Sequence, residues 1–380
     1  MKDNITITFF SNFLLHHQTP FCEAMVKRIG DGFRFVATEP VPQERLDMGY
    51  KNLEDAPYAV NAYQDEQAYQ EAMRLGYESD VVILGAAPDT FIEKRLKDNK
   101  LTFRYSERFF KKFRWRFHPK IIKIHFKQDF LQRKKEFYML CASAYMVSDC
   151  RFIFSYPNKT YKWGYFPEIK IYDSIETVIA NKKKNTILWA GRLIDWKHPE
   201  EAVYLAERLK NNNVDFEMNI IGTGDMEQPL KNLIISKNLQ NRVHMLGAMP
   251  PERVREHMEQ AEIYLFTSDK QEGWGAVLNE SMNSACAVVA CREIGSVPYL
   301  IEDGVNGFIY DKRGKNSLYR HVKKLIDNKT MRETVQKHAY ETMKDVWNAE
   351  SATDRLLHLI DCLQKGTETG YISGPCSRDQ

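Results

Sequence analysis

The stretch Ile263-Tyr-Leu-Phe-Thr-Ser-Asp-Lys-Gln-Glu-Gly-Trp-Gly-Ala-Val-Leu-Asn-Glu-Ser-Met282 carries the reading of the fold. It opens on a short apolar run, Ile263–Phe266, crosses a polar turn and enters a helical pattern in which Leu278, Met282 and Ala285 share one face. A strand that feeds a helix through a glycine-bearing loop is the repeating unit of a parallel α/β sheet. Gly273 and Gly275 let the backbone come close to a ligand, and free N–H groups at the helix start, around Trp274, Gly275 and Ala276, favour an anion. Glu280 lies off the apolar face, and at about 1.5 Å per residue it stands roughly 7–8 Å beyond Gly275. Glu272 stays in the loop, on the other side of the same anion. Taken singly, each Glu reads as a solvated carboxylate or a charge favoured by the helix dipole. Two of them flanking two glycines argue for a site.

Upstream, Ala190-Gly-Arg-Leu-Ile-Asp-Trp-Lys197 repeats the pattern. The apolar run Thr186–Ala190 ends at Gly191, so Arg192 and Lys197 fall in a strand-to-helix loop. Ligands of open parallel sheets bind beyond the carboxyl ends of strands. A guanidinium fork and an ammonium point charge in one such loop suit a diphosphate. Two further elements, Ile221-Gly-Thr-Gly-Asp225 and Gly295-Ser-Val-Pro-Tyr-Leu-Ile-Glu-Asp-Gly-Val-Asn-Gly307, read as glycine-punctuated turns after other strands.

The same alternation runs through the whole chain. Strands are predicted at 5–10, 33–37, 81–85, 101–105 and 138–141, then at 186–190, 217–221, 243–246, 263–266, 287–290 and 308–309. A helix is predicted from Pro199, with Ala202, Leu205, Ala206 and Leu209 at helical spacing. At 380 residues the chain accommodates two domains. The expected division is 1–170, 171–345, a helix over 346–365 that crosses back to the first domain, and a disordered Gly/Ser/Thr-rich tail over 366–380.

Composition narrows the class. A hydrophobic share of 43% and a charged share of 28% fit a globular protein. No apolar run reaches the length of a membrane span, and the start of the chain lacks a signal-peptide pattern. Seven scattered cysteines, with no Cys-x-x-Cys, point to neither a disulfide framework nor a zinc site and suit a reducing cytoplasm. No Asp-x-Asp occurs, so a metal-bridged diphosphate is not expected. Charge is uneven: from Lys94 to Glu136 sixteen Lys/Arg stand against four acidic residues, a balance of 16 − 4 = +12. Aromatics are interleaved there, which favours a surface dipping into an anionic membrane interface.

In their order along the chain, these four glycine-bearing elements resemble the retaining GT-B glycosyltransferases of family four, with the match running from about residue 186 to 312. That resemblance implies two Rossmann-like domains facing across a cleft. The first would bind the acceptor and the second the nucleotide-sugar donor. It assigns Glu272 and Glu280 to the family's paired acidic motif, toward sugar and ribose respectively, and Arg192 and Lys197 to the donor diphosphate. Gly191, Gly273, Trp274, Gly275 and Ala276 would line the donor, with no metal cofactor. Tyr299 replaces the family's usual Glu in the Gly295–Gly307 run, and Ser-Met-Asn-Ser-Ala after Glu280 departs from its usual small-residue pattern. The implied reaction moves a hexosyl unit, from a UDP-sugar by frequency in the family, to an acceptor hydroxyl of a polysaccharide or lipid-linked glycan, with retention.

The N-terminal half departs further. Ser11-Asn-Phe-Leu-Leu-His-His-Gln18 replaces the family's Gly-Gly loop, and Val82-Ile-Leu-Gly-Ala-Ala-Pro88 lacks its usual His. This resembles a subgroup of bacterial surface-polysaccharide transferases. Asn12, His16, His17, Ser106 and Glu107 are the candidate contacts of this half, with Ser143 and Tyr145 beside them. The expected location is cytoplasmic, peripheral at the inner face of the cell membrane through residues 94–136. Two rivals remain open on the residues alone: a sugar-nucleotide epimerase, which needs no acceptor, and a non-enzymatic anionic-surface binder. No nucleic-acid motif occurs.

Overall fold

The structure, a computed structural model, describes residues 5–43, 46, 52–314 and 316–379. The chain forms two compact units, one of Met1–Glu168 with Trp347–Gln380 and one of Ile169–Val346.

The first unit is built on seven parallel strands: β1 (Ile7–Ser11), β2 (Phe33–Ala37), β3 (Ala59–Asn61), β4 (Val81–Leu84), β5 (Thr102–Ser106), β6 (Phe137–Cys141) and β7 (Thr160–Lys162). Their spatial order is β3-β2-β1-β4-β5-β6-β7. β1, β4 and β6 are buried along their whole length, as apolar runs covered on both faces must be. β3 and β7 escaped the sequence reading. Each is a three-residue edge strand, too short to show a period.

The helix Ala349–Lys365 belongs to this unit. Asn348 caps it by accepting from the Ser351 N–H at 2.8 Å, and Gly366 ends it in the left-handed region at φ 69°. It lies on the helix Thr19–Ile29, where Arg28 grips Asp354 at 2.7 Å and Glu350 at 2.8 Å. The expectation of a disordered tail is corrected. The Lys162 N–H donates to Ser377 O at 2.9 Å, Thr160 Oγ1 donates to Asp379 O at 2.7 Å, and Cys376 and Ser377 are fully buried. The exposed edge of β7 offers unpaired backbone groups, and the tail satisfies them.

The second unit has six parallel strands: β8 (Lys183–Ala190), β9 (Glu217–Ile221), β10 (Val243–Gly247), β11 (Ala261–Phe266), β12 (Ala287–Cys291) and β13 (Phe308–Tyr310). Their order is β10-β9-β8-β11-β12-β13. Helix Glu200–Asn211 follows Pro199 and buries Ala202, Val203, Leu205, Ala206 and Leu209. Chain order reverses where β8 meets β11, and again where β1 meets β4 in the first unit. In a parallel sheet the connections diverge at such a point and leave a crevice at the carboxyl ends of the two strands.

Candidate active site

Both sequence motifs of the second unit open at that crevice. β8 delivers the loop with Arg192 and Lys197, and β11 delivers the loop with Glu272 and Gly275. Lys197 Nζ ion-pairs with Glu272 Oε2, and Ser268 Oγ donates to the same carboxylate oxygen at 2.9 Å. Both members are nearly buried, with side chains 13% and 10% exposed, so the pair is screened far less than a surface one. The Trp196 ring lies beside both cations, 5.8 Å from the Arg192 guanidinium and 4.9 Å from Lys197 Nζ. Arg192 is exposed, and among the described residues no acid neutralises it. Arg192, Lys197 and Glu272 thus converge on one place, though the residues that bring them there are 75 apart in sequence for the ion pair.

The two loops are stitched together by groups the sequence reading did not select. Trp189 Nε1 donates to Thr267 Oγ1 at 2.8 Å, and that hydroxyl donates to Lys197 O at 2.7 Å. The Asp269 N–H donates to Trp196 O at 2.9 Å. His198 sits in the left-handed region at φ 50°, with Nδ1 2.8 Å from Glu200 Oε1 and Nε2 3.6 Å from Asp269 Oδ2. The carboxylates of Asp269 and Glu200 push its imidazole up to about 9, so it is a cation at neutral pH. A histidine directly after Lys197 was the available signal. Its two acidic partners, at 200 and 269, were not adjacent enough to identify it.

The Gly-x-Gly element is the seat of the Arg192 loop. A Cβ on Gly222, at φ 135°, would stand 1.8 Å from Gly191 O, and the Leu193 N–H donates to Thr223 O at 2.8 Å. Only glycine permits this approach. Gly275, at φ 78°, is likewise closed to a side chain, since a Cβ there would meet the Phe266 ring at 2.4 Å.

Trp274, expected to line the donor, turns its side chain into the core. Its indole is 0% exposed and donates to Asn279 Oδ1 at 2.9 Å, while Ser296 Oγ donates to its carbonyl at 2.5 Å. It anchors the loop. The Gly295–Gly307 element buttresses the same loop, the Gly295 N–H donating to Glu272 O at 3.3 Å. Gly273 is also buried, whereas Gly191, Gly275 and Ala276 are partly open. Glu280, like Val277, is half-open in the short helix Val277–Asn283, whose Leu278, Asn279, Ser281, Met282 and Asn283 are buried. Burial holds its carboxyl above the ordinary range, against the pull of Arg255.

In the first unit the carboxyl ends of β1 and β5 gather a second cluster. His17 stacks on Tyr165 with ring centroids 4.5 Å apart, and His16 meets His17 edge-on at 5.4 Å. Tyr165 donates to Glu107 Oε1 at 2.7 Å, and Lys111 Nζ donates to Glu107 Oε2 at 2.5 Å. Tyr165 was missed because it lies 58 residues from Glu107. Asn12 is turned to backbone work: its carbonyl accepts from the N–H groups of Thr38 and Glu39. Ser106 closes β5 and its carbonyl accepts from the Ala142 N–H at 2.9 Å. Ser143 is buried, and Tyr145 lies under the Arg108 guanidinium at 5.3 Å.

The basic stretch is smaller on the surface than its +12 balance implied. Arg95 is fully buried and donates to the carbonyls of Gly76, Ser79, Asp80 and Leu101. Arg104 pairs with Asp89 and Asp129, and Arg108 and Arg116 both reach the buried Asp149. Phe103 and Phe110 are core residues. All seven cysteines are free and buried. Among the described residues no group of three or more His, Cys, Asp or Glu could hold a metal ion, and no helix is long and apolar enough to cross a membrane.

The family model for glycosyl transferases group 1 matches residues 173–342. The amylovoran biosynthesis glycosyltransferase AmsK of Erwinia amylovora is 33% identical over 128 residues, covering 32% of this chain and 31% of that protein. The N-acetylgalactosamine-N,N'-diacetylbacillosaminyl-diphospho-undecaprenol 4-alpha-N-acetylgalactosaminyltransferase of Campylobacter jejuni is 28% identical over 178 residues, 47% of each chain. The chain spans less than half the length of these curated relatives. Among solved structures, Anabaena HepE in complex with UDP superposes with a TM-score of 0.70 at 15% identity, covering 94% of this chain and 100% of that one. A Rickettsia africae glycosyltransferase gives 0.67 at 13% identity, with coverage of 96% and 100%. These likenesses show the GT-B fold.

Proposed function

We propose that the chain, whose residues 173–342 match the family model for glycosyl transferases group 1, transfers a hexosyl unit from a nucleoside diphosphate sugar to an acceptor hydroxyl in polysaccharide or lipid-linked glycan synthesis. The observation that carries this reading is the convergence of Arg192, Lys197 and Glu272 at the carboxyl ends of β8 and β11.

The difficult step is departure of the diphosphate as the sugar gains positive character. Arg192 and Lys197 stabilise that leaving charge, together with the backbone N–H groups near Gly275. The pair with Glu272 adds a consequence. A diphosphate competes for Lys197, and as Lys197 turns toward it the Glu272 carboxylate becomes available to the sugar hydroxyls. Donor entry and sugar recognition are then coupled through one ion pair. Glu280, whose carboxyl is raised above its ordinary range by burial, serves the ribose hydroxyls. The two cations do the work a metal would do, so chelators leave turnover unchanged. The reaction proceeds with retention, as the family resemblance implies.

The first unit binds the acceptor through His16, His17 and Glu107. UDP is the favoured nucleotide, supported by the UDP bound in HepE. The test is a thermal-shift comparison of UDP, GDP and their sugars, since a ligand raises stability with its excess over Kd. A transfer assay with and without acceptor follows. Stabilisation by UDP-sugars and acceptor-dependent release of UDP are expected. Release of an altered nucleotide sugar without acceptor would overturn the transfer reading in favour of epimerisation.

A further inference from the structure

The connection from β5 to β6 is inverted in its polarity. Its helix Pro119–His125 continues as a wider turn over Phe126–Phe130. The side turned to the protein is polar. His125 Nδ1 meets Asp129 Oδ2 at 2.8 Å, and the other oxygen of Asp129 takes the Tyr156 hydroxyl at 2.5 Å and lies 3.0 Å from Arg104 Nε. Asp129 is 1% exposed. Ile122, Ile124, Phe126 and Leu131 are each 42–53% exposed, Ile122 and Phe126 one turn apart on one flank and Ile124 on the opposite flank, with exposed Lys120, Lys123 and Lys127 between them. A helix stabilised by its own domain alone buries its apolar side. This one turns His125 and Asp129 inward and leaves Ile122, Ile124 and Phe126 largely in water.

The neighbouring surface extends the feature. Phe117, 62% exposed, lies 6.3 Å from the ring of Phe152, which is 39% exposed. Two residues on, Phe154 is 76% exposed and held at φ 54°. A bulky residue in the left-handed region is strained, and here the strain presents an aromatic ring to solvent. A contiguous apolar surface of this kind marks an interface.

Charge identifies the partner. Residues 111–134 contain nine Lys/Arg and one acid, 9 − 1 = +8, and that acid is the buried Asp129. Lys112, Arg114, Lys120, Lys123, Lys127 and Lys134 are exposed, and among the described residues none is ion-paired. The apolar core of a protein interface is depleted of lysine, whereas here lysines recur every three or four residues within the apolar set. Long basic stems can lie along apolar surface with their heads at a phosphate plane.

We propose that this face of the first unit docks on an anionic phospholipid bilayer, with Ile122, Ile124, Phe126, Leu131, Phe117 and Phe154 entering the interface and the unpaired lysines and Arg114 meeting the headgroups. The docking stands on the first unit alone. That it brings a lipid-borne acceptor to the enzyme rests additionally on the transferase reading. Glu107 links the two, since its partner Lys111 opens the basic segment.

The test is flotation of the full chain with vesicles of phosphatidylcholine alone or mixed equally with phosphatidylglycerol, at low and high salt. Binding to the anionic vesicles only, weakened by salt, is expected. At about 1 kcal/mol per basic residue, Lys120→Gln/Lys123→Gln/Lys127→Gln should weaken binding on the order of a hundredfold. Ile122→Ser/Ile124→Ser/Phe126→Ser should abolish it. Because that triple change touches a helix, Phe154→Ser, at an exposed loop position, serves as a second variant and should weaken binding severalfold. Unchanged melting temperature shows that each variant is folded. Equal binding to both vesicle types, no binding, or variants that bind like the parent chain would overturn the proposal. So would self-association through this face that the same substitutions abolish without any vesicle binding. Nucleotide thermal shift on the same samples keeps the two readings apart: vesicle binding without nucleotide binding sinks only the transferase.

Discussion

The two units share a parallel sheet that reverses order at its centre, yet they gather different chemistry at the carboxyl ends of their strands. In Ile169–Val346 the β8 and β11 loops hold two cations against one carboxylate, and among the described residues Arg192 has no acidic partner. In the first unit the corresponding edge holds stacked rings and a carboxylate already shared by Tyr165 and Lys111. Uncommitted positive charge suits a polyanion. A flat aromatic and hydroxyl-bonded surface suits a sugar, whose faces are apolar and whose rim is polar. One architecture serves both because function resides in the loops beyond the strands.

The largest effect should come from the cations. Lys197→Ala and Arg192→Ala are each expected to lower kcat by about 10²–10³-fold, the scale for losing one preorganised donor to a developing charge. Steady-state kinetics with an unchanged circular-dichroism spectrum would check it. Near-normal turnover in both would erase the contrast between the units. Next, Glu272→Gln should separate binding from chemistry. It releases Lys197 to the diphosphate, so UDP affinity is retained or raised while transfer falls on the order of a hundredfold. Weaker UDP binding would refute the competition for Lys197.

A smaller effect sharpens the other half. Tyr165→Phe removes one hydrogen bond to Glu107 and leaves the ring under His17. Loss of a bond to a charged group, worth about 1.5–3 kcal/mol, should raise the acceptor KM by roughly ten- to a hundredfold with the donor KM unmoved. Equal changes in both would remove the acceptor role. The smallest effect concerns the His198 clamp. Its imidazole titrates near 9 in the folded chain against an ordinary 6.5, so its stabilising contribution is complete below pH 6.5 and is lost as pH rises through 9. Melting temperature measured from pH 6 to 10 should therefore fall through that window, and His198→Gln should flatten the fall. A parallel fall in the variant would assign it to other groups.

Much of this was legible in the residues. Strands such as Phe33–Ala37 and Glu217–Ile221 show themselves as short, mostly apolar segments between polar turns, and the observed bounds coincide with the expected ones. The Arg192 and Glu272 loops were legible because glycine and charge right after a strand have few other uses. The packed tail was not. Its Gly/Ser/Thr composition describes an isolated chain, whereas its order comes from the unpaired edge of β7. Trp274 stands between two glycines in sequence, and only packing decides that its indole faces the core.

The sequence alone determined the parallel α/β class, the two-domain scale and the loops that carry charge, since strand length, helical period and turn chemistry are local properties. Only the tertiary structure decided which loops meet. Apolar strands are interchangeable as sequence, and their order in the sheet sets Lys197 on Glu272, His17 on Tyr165 and His198 beside Asp269. It also decided which cations of the basic stretch remain at the surface, because pairing with a buried Asp149 or Asp129 depends on contacts from distant parts of the chain.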